Sequence, residues 1–288
     1  MSVAGKTIGG QAVMEGVLMR TPEGLAIAVR RTDQSISISK RPLASAVQRS
    51  RLFKLPVLRG AVALVDTLAI GLDALMHSVN ESGDEELQLS KGALGLTVFA
   101  GLALAVGLFF LLPTILARFL GANLLHPVMA NLAEGAIRML IFVAYVSLIA
   151  RWPELRRFFQ YHGAEHKTIA CYEAGEELCL ANVQRHSTLH LRCGTSFLLI
   201  VMVLSIFFFS LFGWPNIYMR IVLRILLLPF VAGLAYEVIK ISAKSTGALW
   251  RALMWPGLLL QRLTTREPDE AQIEVAIAAL KAALELPA

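Results

Sequence analysis

Two histidines four residues apart, His162 and His166, enclose a glutamate in the run His162-Gly163-Ala164-Glu165-His166. On a helix both imidazoles leave the same face, one turn apart, with Glu165 beside them. This H-x-x-E-H order supplies what a metal-dependent hydrolase needs: two neutral nitrogen ligands and a carboxylate able to deprotonate a water polarised by the metal. His190 and Cys193 follow within thirty residues as further donors, and Glu237 lies farther along the chain. Zinc is the divalent ion this imidazole, thiolate and carboxylate set suits best.

The elements that must position these groups point to a membrane. Hydrophobic residues make up 56% of the 288-residue chain and charged residues 17%, and the mean hydropathy is +0.62, well above an ordinary soluble domain. Four stretches are predicted to cross a bilayer, each near the required length of about 20 apolar residues. They are Ala93–Leu112, ending at Pro113, about Leu132–Ala150, Phe197–Gly213, followed by an interfacial Trp214-Pro215, and Ile221–Ile239. Charges sit inside two of them: Glu134 and Arg138, spaced to pair on one helix face, and Arg224 with Glu237 toward opposite ends of the last.

Lys and Arg placement sets the orientation. Residues 1–54 hold nine, 151–196 six and the tail from Lys240 six, whereas 113–131 and 214–220 hold one each. Four spans with both termini in the cytosol put every basic-rich segment on one side. A fifth apolar stretch, Leu55–Met76, carries Arg59, Asp66 and Asp73 seven residues apart. It reads as an amphipathic helix on the cytoplasmic surface or a buried half-span. The acidic run Asp84-Glu85-Glu86 after it reads as a solvated loop.

The remaining segments are predicted to be cytoplasmic. Leu25, Ile27 and Val29, then Ile36 and Ile38, alternate around Thr32-Asp33-Gln34, the pattern of a small β-hairpin. Pro153 and Gly175 bracket a helix from Pro153 to about Ala174 with the histidine pair in its middle. Gly163 costs that helix about 1 kcal/mol relative to alanine, unless something approaches its backbone closely. Ala248–Leu263, with two tryptophans, reads as interfacial, and Pro268-Asp269-Glu270 opens a helix with Ile273, Ile277, Leu280 and Leu284 on its apolar face. The fold class is thus an α-helical polytopic membrane protein of about four spans with an N-terminal hairpin. Its segments are 1–54, 55–92, 93–150, 151–196, 197–239 and 240–288, without repeats or low-complexity linkers.

Other classes are disfavoured. Three cysteines without CxxC spacing argue against a disulfide framework, no cleavable signal peptide is apparent, and the +6 charge suits cytoplasmic flanks rather than nucleic acid. The expected partner is the lipid bilayer; protein partners and oligomeric state are not legible.

Five stretches together resemble the YqhQ-like family of bacterial membrane proteins: GGQAVMEGVLMR at 9–20, YHGAEHKTI at 161–169, YEAGE at 172–176, LHLRCGTSFLLIVM at 189–202 and AYEVIK at 235–240. The resemblance covers nearly the whole chain. It implies the same membrane architecture, a predicted metal-dependent enzyme, and His162, Glu165, His166, His190, Cys193 and Glu237 as site residues. One departure is Leu191, where the family's LHPRCGT motif has proline.

Bland readings stand beside these. The histidine pair could be a polar helix face and Glu165 a structural acceptor. Cys193 could be a buried small residue, a ligand, or a thiolate at a helix N-terminus with His190 as base. His186 reads as a solvated helix residue, Glu173 as an outer support, and Glu15, Gly16 and Arg20 as a tight turn or part of the site's lining. Three function classes follow: a zinc-type hydrolase with Glu165 as catalytic base, a non-enzymatic transport or assembly factor with a structural metal or histidine cluster, and a cysteine-nucleophile enzyme.

Overall fold

The computed structural model describes residues 7–43, 50–83, 91–121, 124–213, 215–242, 245 and 247–286. The acidic run 84–86 and Trp214 lie outside the described residues.

The expected hairpin is half of a larger sheet. Four strands, β1 (Gly9–Val13), β2 (Gly16–Arg20), β3 (Gly24–Arg30) and β4 (Ile36–Pro42), form an antiparallel meander in sequence order. The predicted pair is β3–β4, with Ala28 opposite Ile38. The two added strands come from the glycine-bearing segment, which turns at Glu15 with φ of 50°. The alternation of β2 was hidden because that strand is covered on both faces, so neither face is polar. Val17, Met19, Ala26 and Ala28 face one apolar cluster; Val13, Leu18, Leu25, Ile27 and Val29 face another.

Helices supply the two covers. Helix α1 (Leu58–Ser82) lays Ile70 and Ala74 on the second face. The first face packs on α5 (Pro153–Glu173) and α10 (Glu270–Leu284), which contribute Tyr161, Ala164, Ile273, Ala276 and Leu280. The α10 start is a capping box: Asp269 accepts from the Gln272 backbone N–H, and Gln272 accepts from that of Asp269. Helix α5 starts and stops as predicted, with Gly175 in the left-handed region at φ 75°.

The apolar layer contains α2 (Lys91–Val106), a π-helical turn (Gly107–Leu111) and α3 (Leu112–Phe119) in one run, then α4 (Pro127–Ile149), α7 (Gly194–Ser210) and α8 (Ile217–Ser242). A short α6 (Leu180–Gln184) bridges α5 and α7, and α9 (Ala248–Thr264) packs on α7. The first predicted span does not end at Pro113. Proline cannot donate to the Phe109 carbonyl four residues back, and Arg138 Nε takes that carbonyl instead at 2.9 Å. The helix therefore continues through a π-turn.

Four helices among the described residues are long and apolar enough to cross a membrane: Leu58–Ser82, Gly95–Phe119, Pro127–Ile149 and Tyr218–Ser242. The set differs from the predicted one at two places. The Phe197–Gly213 stretch forms the shorter α7 of 17 residues, a rise of about 26 Å. The Leu55–Met76 stretch belongs to α1, whose opening turn packs on α8: Gly60 lies against Gly233 and Tyr236, so closely that side chains at either glycine would collide. Its spaced charges find partners there and beyond, Arg59 on Glu237 and Asp73 on Arg41 at 2.5 Å.

Candidate metal centre

Helix α5 carries His162, Glu165 and His166 on one face, and the turn entering α7 brings Cys193 to them. The Cys193 Sγ lies 3.3 Å from His162 Nε2. A ligand atom from each of His162, His166 and Cys193 falls within 4.8 Å of the others. Both imidazoles are oriented through their other nitrogen. His162 Nδ1 meets the Thr264 carbonyl at 2.8 Å, and His166 Nδ1 the Thr188 carbonyl at 2.6 Å. Carbonyl acceptance at Nδ1 fixes the N–H there and leaves Nε2 with a lone pair, the arrangement of a metal-ligating histidine.

The Thr264 carbonyl can reach His162 because of Gly163. A Cβ at that position would lie 2.0 Å from the Arg266 carbonyl oxygen, and the Arg266 N–H bonds the Phe159 carbonyl at 2.9 Å. The close approach that justifies a mid-helix glycine is this strand of chain leaving α9.

Glu165 is buried against β1. A Cβ at Gly10 would sit 2.6 Å from its Cγ and Oε1, so glycine makes the room. Burial pushes its carboxyl above the usual range, opposed by the nearby His162 and His190 rings. Burial likewise lowers His166, partly offset by its hydrogen bond with Cys193, and favours the neutral ring that binds metal.

His190 stands next to the trio rather than in it. The three imidazoles form a row, with ring centroids 4.4 Å apart for His162 and His166 and 5.5 Å for His166 and His190. His190 Nε2 is taken by Glu173 Oε2 at 3.3 Å, and Glu173 also pairs with Arg192. Burial raises the Glu173 carboxyl, but the His190 hydrogen bond and Arg192 together hold it below its ordinary value. Glu173 is therefore a support for His190, as its distance along the helix implied. The Leu191 turn forms without proline, closed by Cys193 N–H on the His190 carbonyl at 3.4 Å.

Glu237 does not reach the centre. Arg59 holds both its oxygens, Nε on Oε1 at 2.6 Å and Nη2 on Oε2. The expectation of a ligand at that depth is corrected by an ion pair: a guanidinium fork from α1 satisfies the carboxylate first. Glu15 is also spoken for, by Arg157 and by the Tyr161 hydroxyl at 3.2 Å, while Gly16 sits so close to the Ala28 carbonyl that no side chain fits. These two serve the turn; Gly10 from the same segment lines the site. His186 bonds Glu176 at 3.3 Å, near Cys171.

One residue escaped the sequence reading. Gln261 on α9 is fully buried and clamps the site loop. It accepts from the His190 N–H at 2.9 Å and donates to the His190 carbonyl at 2.8 Å and to Ser196 Oγ at 2.9 Å. A neutral amide in the apolar run Leu258-Leu259-Leu260-Gln261 was the available signal.

With the geometry in place, comparison with known proteins is informative. A family model described as a protein of unknown function, DUF1385, matches residues 55–286. The chain is also 36% identical over 296 residues to an uncharacterised protein, YqhQ, of Bacillus subtilis (strain 168), covering 97% of this chain and 93% of that protein. The chain belongs to the DUF1385 family. The YqhQ-like resemblance is thereby shown. No solved structure matches. The DUF1385 match begins at Leu55 and so takes in every member of the histidine and cysteine cluster but not Gly10.

Proposed function

We propose that this protein is a multi-pass membrane protein of the cell's inner (plasma) membrane, with both termini in the cytosol, whose cytoplasmic-face centre binds a divalent metal, zinc by its donor chemistry, and catalyses hydrolysis. The crossing helices in this reading are the α2–α3 run, α4, α7 and α8, with α1 a half-span between α8 and the sheet. The placement of lysines and arginines supports this orientation.

The observation that carries the metal reading is the pair of Nδ1–carbonyl hydrogen bonds that turn two Nε2 atoms toward Cys193 Sγ. His162, His166 and Cys193 would hold the ion, which supplies Lewis acidity toward a carbonyl or phosphoryl oxygen. Three protein donors suit a site with an open position better than a closed structural one, which favours the enzyme over the assembly-factor reading. Glu165 takes a proton from water; burial raises its carboxyl above the usual range and makes it a stronger base. His190, held at Nε2 by Glu173, places its ring at the edge of the site. The apolar layer beside the centre favours a membrane-derived or membrane-bound substrate.

Metal analysis of purified full-length protein tests this. About one equivalent of zinc is expected per chain, lost in His162→Ala and His166→Ala and reduced in Cys193→Ser. Glu165→Gln is expected to keep the metal and lose hydrolysis of membrane-derived ester or amide substrates. Wild-type protein without metal after purification and zinc reloading ends the reading.

The Cys193–His162 contact favours a second reading, a thiolate nucleophile. Cys193 caps α7 and accepts the Thr195 N–H at 3.4 Å, and a helix N-terminus stabilises a thiolate. Covalent labelling of Cys193 by iodoacetamide, unaffected by zinc, is the outcome that selects it.

A further inference from the structure

At the opposite end of the apolar layer sit four buried ionisable side chains that the metal centre does not use. Glu134 on α4 is 1% exposed, and Arg138, Arg220 and Arg224 are at most 8% exposed. Glu134 Oε1 accepts from Arg138 Nη2 at 2.6 Å, from Thr114 Oγ1 at 3.0 Å and from Arg224; Oε2 meets Arg220. Arg224 also lies over the Phe209 ring, 5.3 Å from its centroid. Among the described residues, three guanidiniums thus converge on one carboxylate, three positive charges against one negative.

Ionisable groups at membrane depth are expensive and mark binding sites or transfer paths. A charge surplus there is costlier still, since removal from water is repaid only by close opposite charge. Arg220, Arg224, Asn131, Phe209 and Phe212 line one narrow crevice. Asn131 is fixed as part of its wall by bonds to the Pro127 carbonyl at 2.9 Å and the Gly213 carbonyl at 2.8 Å. Arg220 and Arg224 follow Ile217, the first residue of α8, by three and seven positions, about 5 and 10 Å along the axis. With α8 crossing the bilayer as proposed above, on which this inference rests, that is the depth of the lipid phosphates and the first carbons below them.

We propose that this cluster binds a phosphate-bearing anion, with Arg220 and Arg224 as forks on the phosphate oxygens and Glu134 as the internal carboxylate that competes with the anion for them. Arginine forks match phosphate geometry in two-point contact. The site is separate from the candidate metal centre, since Asn131 in its wall bonds Gly213 beyond the end of α7 opposite Cys193, and it does not depend on the hydrolase reading.

The test uses full-length protein in phosphatidylcholine nanodiscs, with melting temperature as the readout. One arm titrates inorganic phosphate; the other raises the fraction of phosphatidylglycerol. Stabilisation in the first arm identifies a diffusible anion, and in the second alone a lipid headgroup; either supports the site. Arg220→Gln and Arg224→Gln are expected to weaken the response at least about tenfold, the size of a lost charged hydrogen bond. Glu134→Gln removes the competing carboxylate and is expected to tighten it. Arg224→Lys keeps the charge without the fork, so a several-fold weakening is expected even if the glutamine variants do not fold. No response in either arm, or one unchanged in Arg224→Lys and Glu134→Gln, overturns the proposal.

Discussion

Gly163 shows how much a single missing methyl group decides. Alanine there would raise helix propensity by about 1 kcal/mol, yet its Cβ would collide with the Arg266 carbonyl, 2.0 Å away. Backbone against backbone cannot yield cheaply, so Gly163→Ala is expected to destabilise the protein by about 1–3 kcal/mol. It should also lower metal occupancy, because the displaced chain carries the Thr264 carbonyl that orients His162. Melting temperature and zinc content, measured together, check both halves; a stabilised variant with full zinc would refute the packing argument. Of the individual site residues, the histidine pair and Glu165 were legible because one helix presents them. Glu173, offset along that helix by the 1.5 Å rise, bonds His190 rather than the trio.

Elements decide which polar groups meet. Glu237 is within reach of the metal centre by depth alone, but α1 packs on α8 through Gly60 and Gly233 and delivers Arg59 to it. Glu237→Gln is therefore expected to leave zinc content at the wild-type level while lowering the melting temperature. Loss of metal in that variant would return Glu237 to the ligand set. A similar substitution of partners allows the α2–α3 run to pass Pro113, where Arg138 from α4 stands in for the missing N–H. Sequence periodicity placed both helices. It could not show that a residue on one would satisfy a carbonyl or carboxylate on the other.

Across the whole molecule, the sheet, α1, α5 and α10 form one body at the end of the apolar helices that carries the candidate metal centre, and the arginine cluster lies at the other end. If α2–α3, α4, α7 and α8 cross and α1 does not, the crossings are even in number and both termini share a side. Reporter fusions at the N- and C-termini are expected to read cytosolic. A cysteine placed at residue 125, between α3 and α4, is expected to react with a membrane-impermeant maleimide from outside intact cells. Opposite readings from the two termini would mean an odd number of crossings, with α1 added, as its length and composition permit, or the shorter α7 withdrawn.

Local order alone determined the α5 helix with its proline start and glycine stop, the aspartate-capped α10, the apolar runs and the family resemblance, since each depends on residues within a few turns of one another. Folding in three dimensions decided the rest. Cys193 meets His162 across 31 residues, Thr264 orients it across 102, and Arg59 claims Glu237 across 178. Strand β2 emerged only once both its faces were covered, because a strand buried on two sides loses the alternation that announces it. Contacts between distant segments are set by which surfaces pack, and no periodicity along the chain encodes that choice.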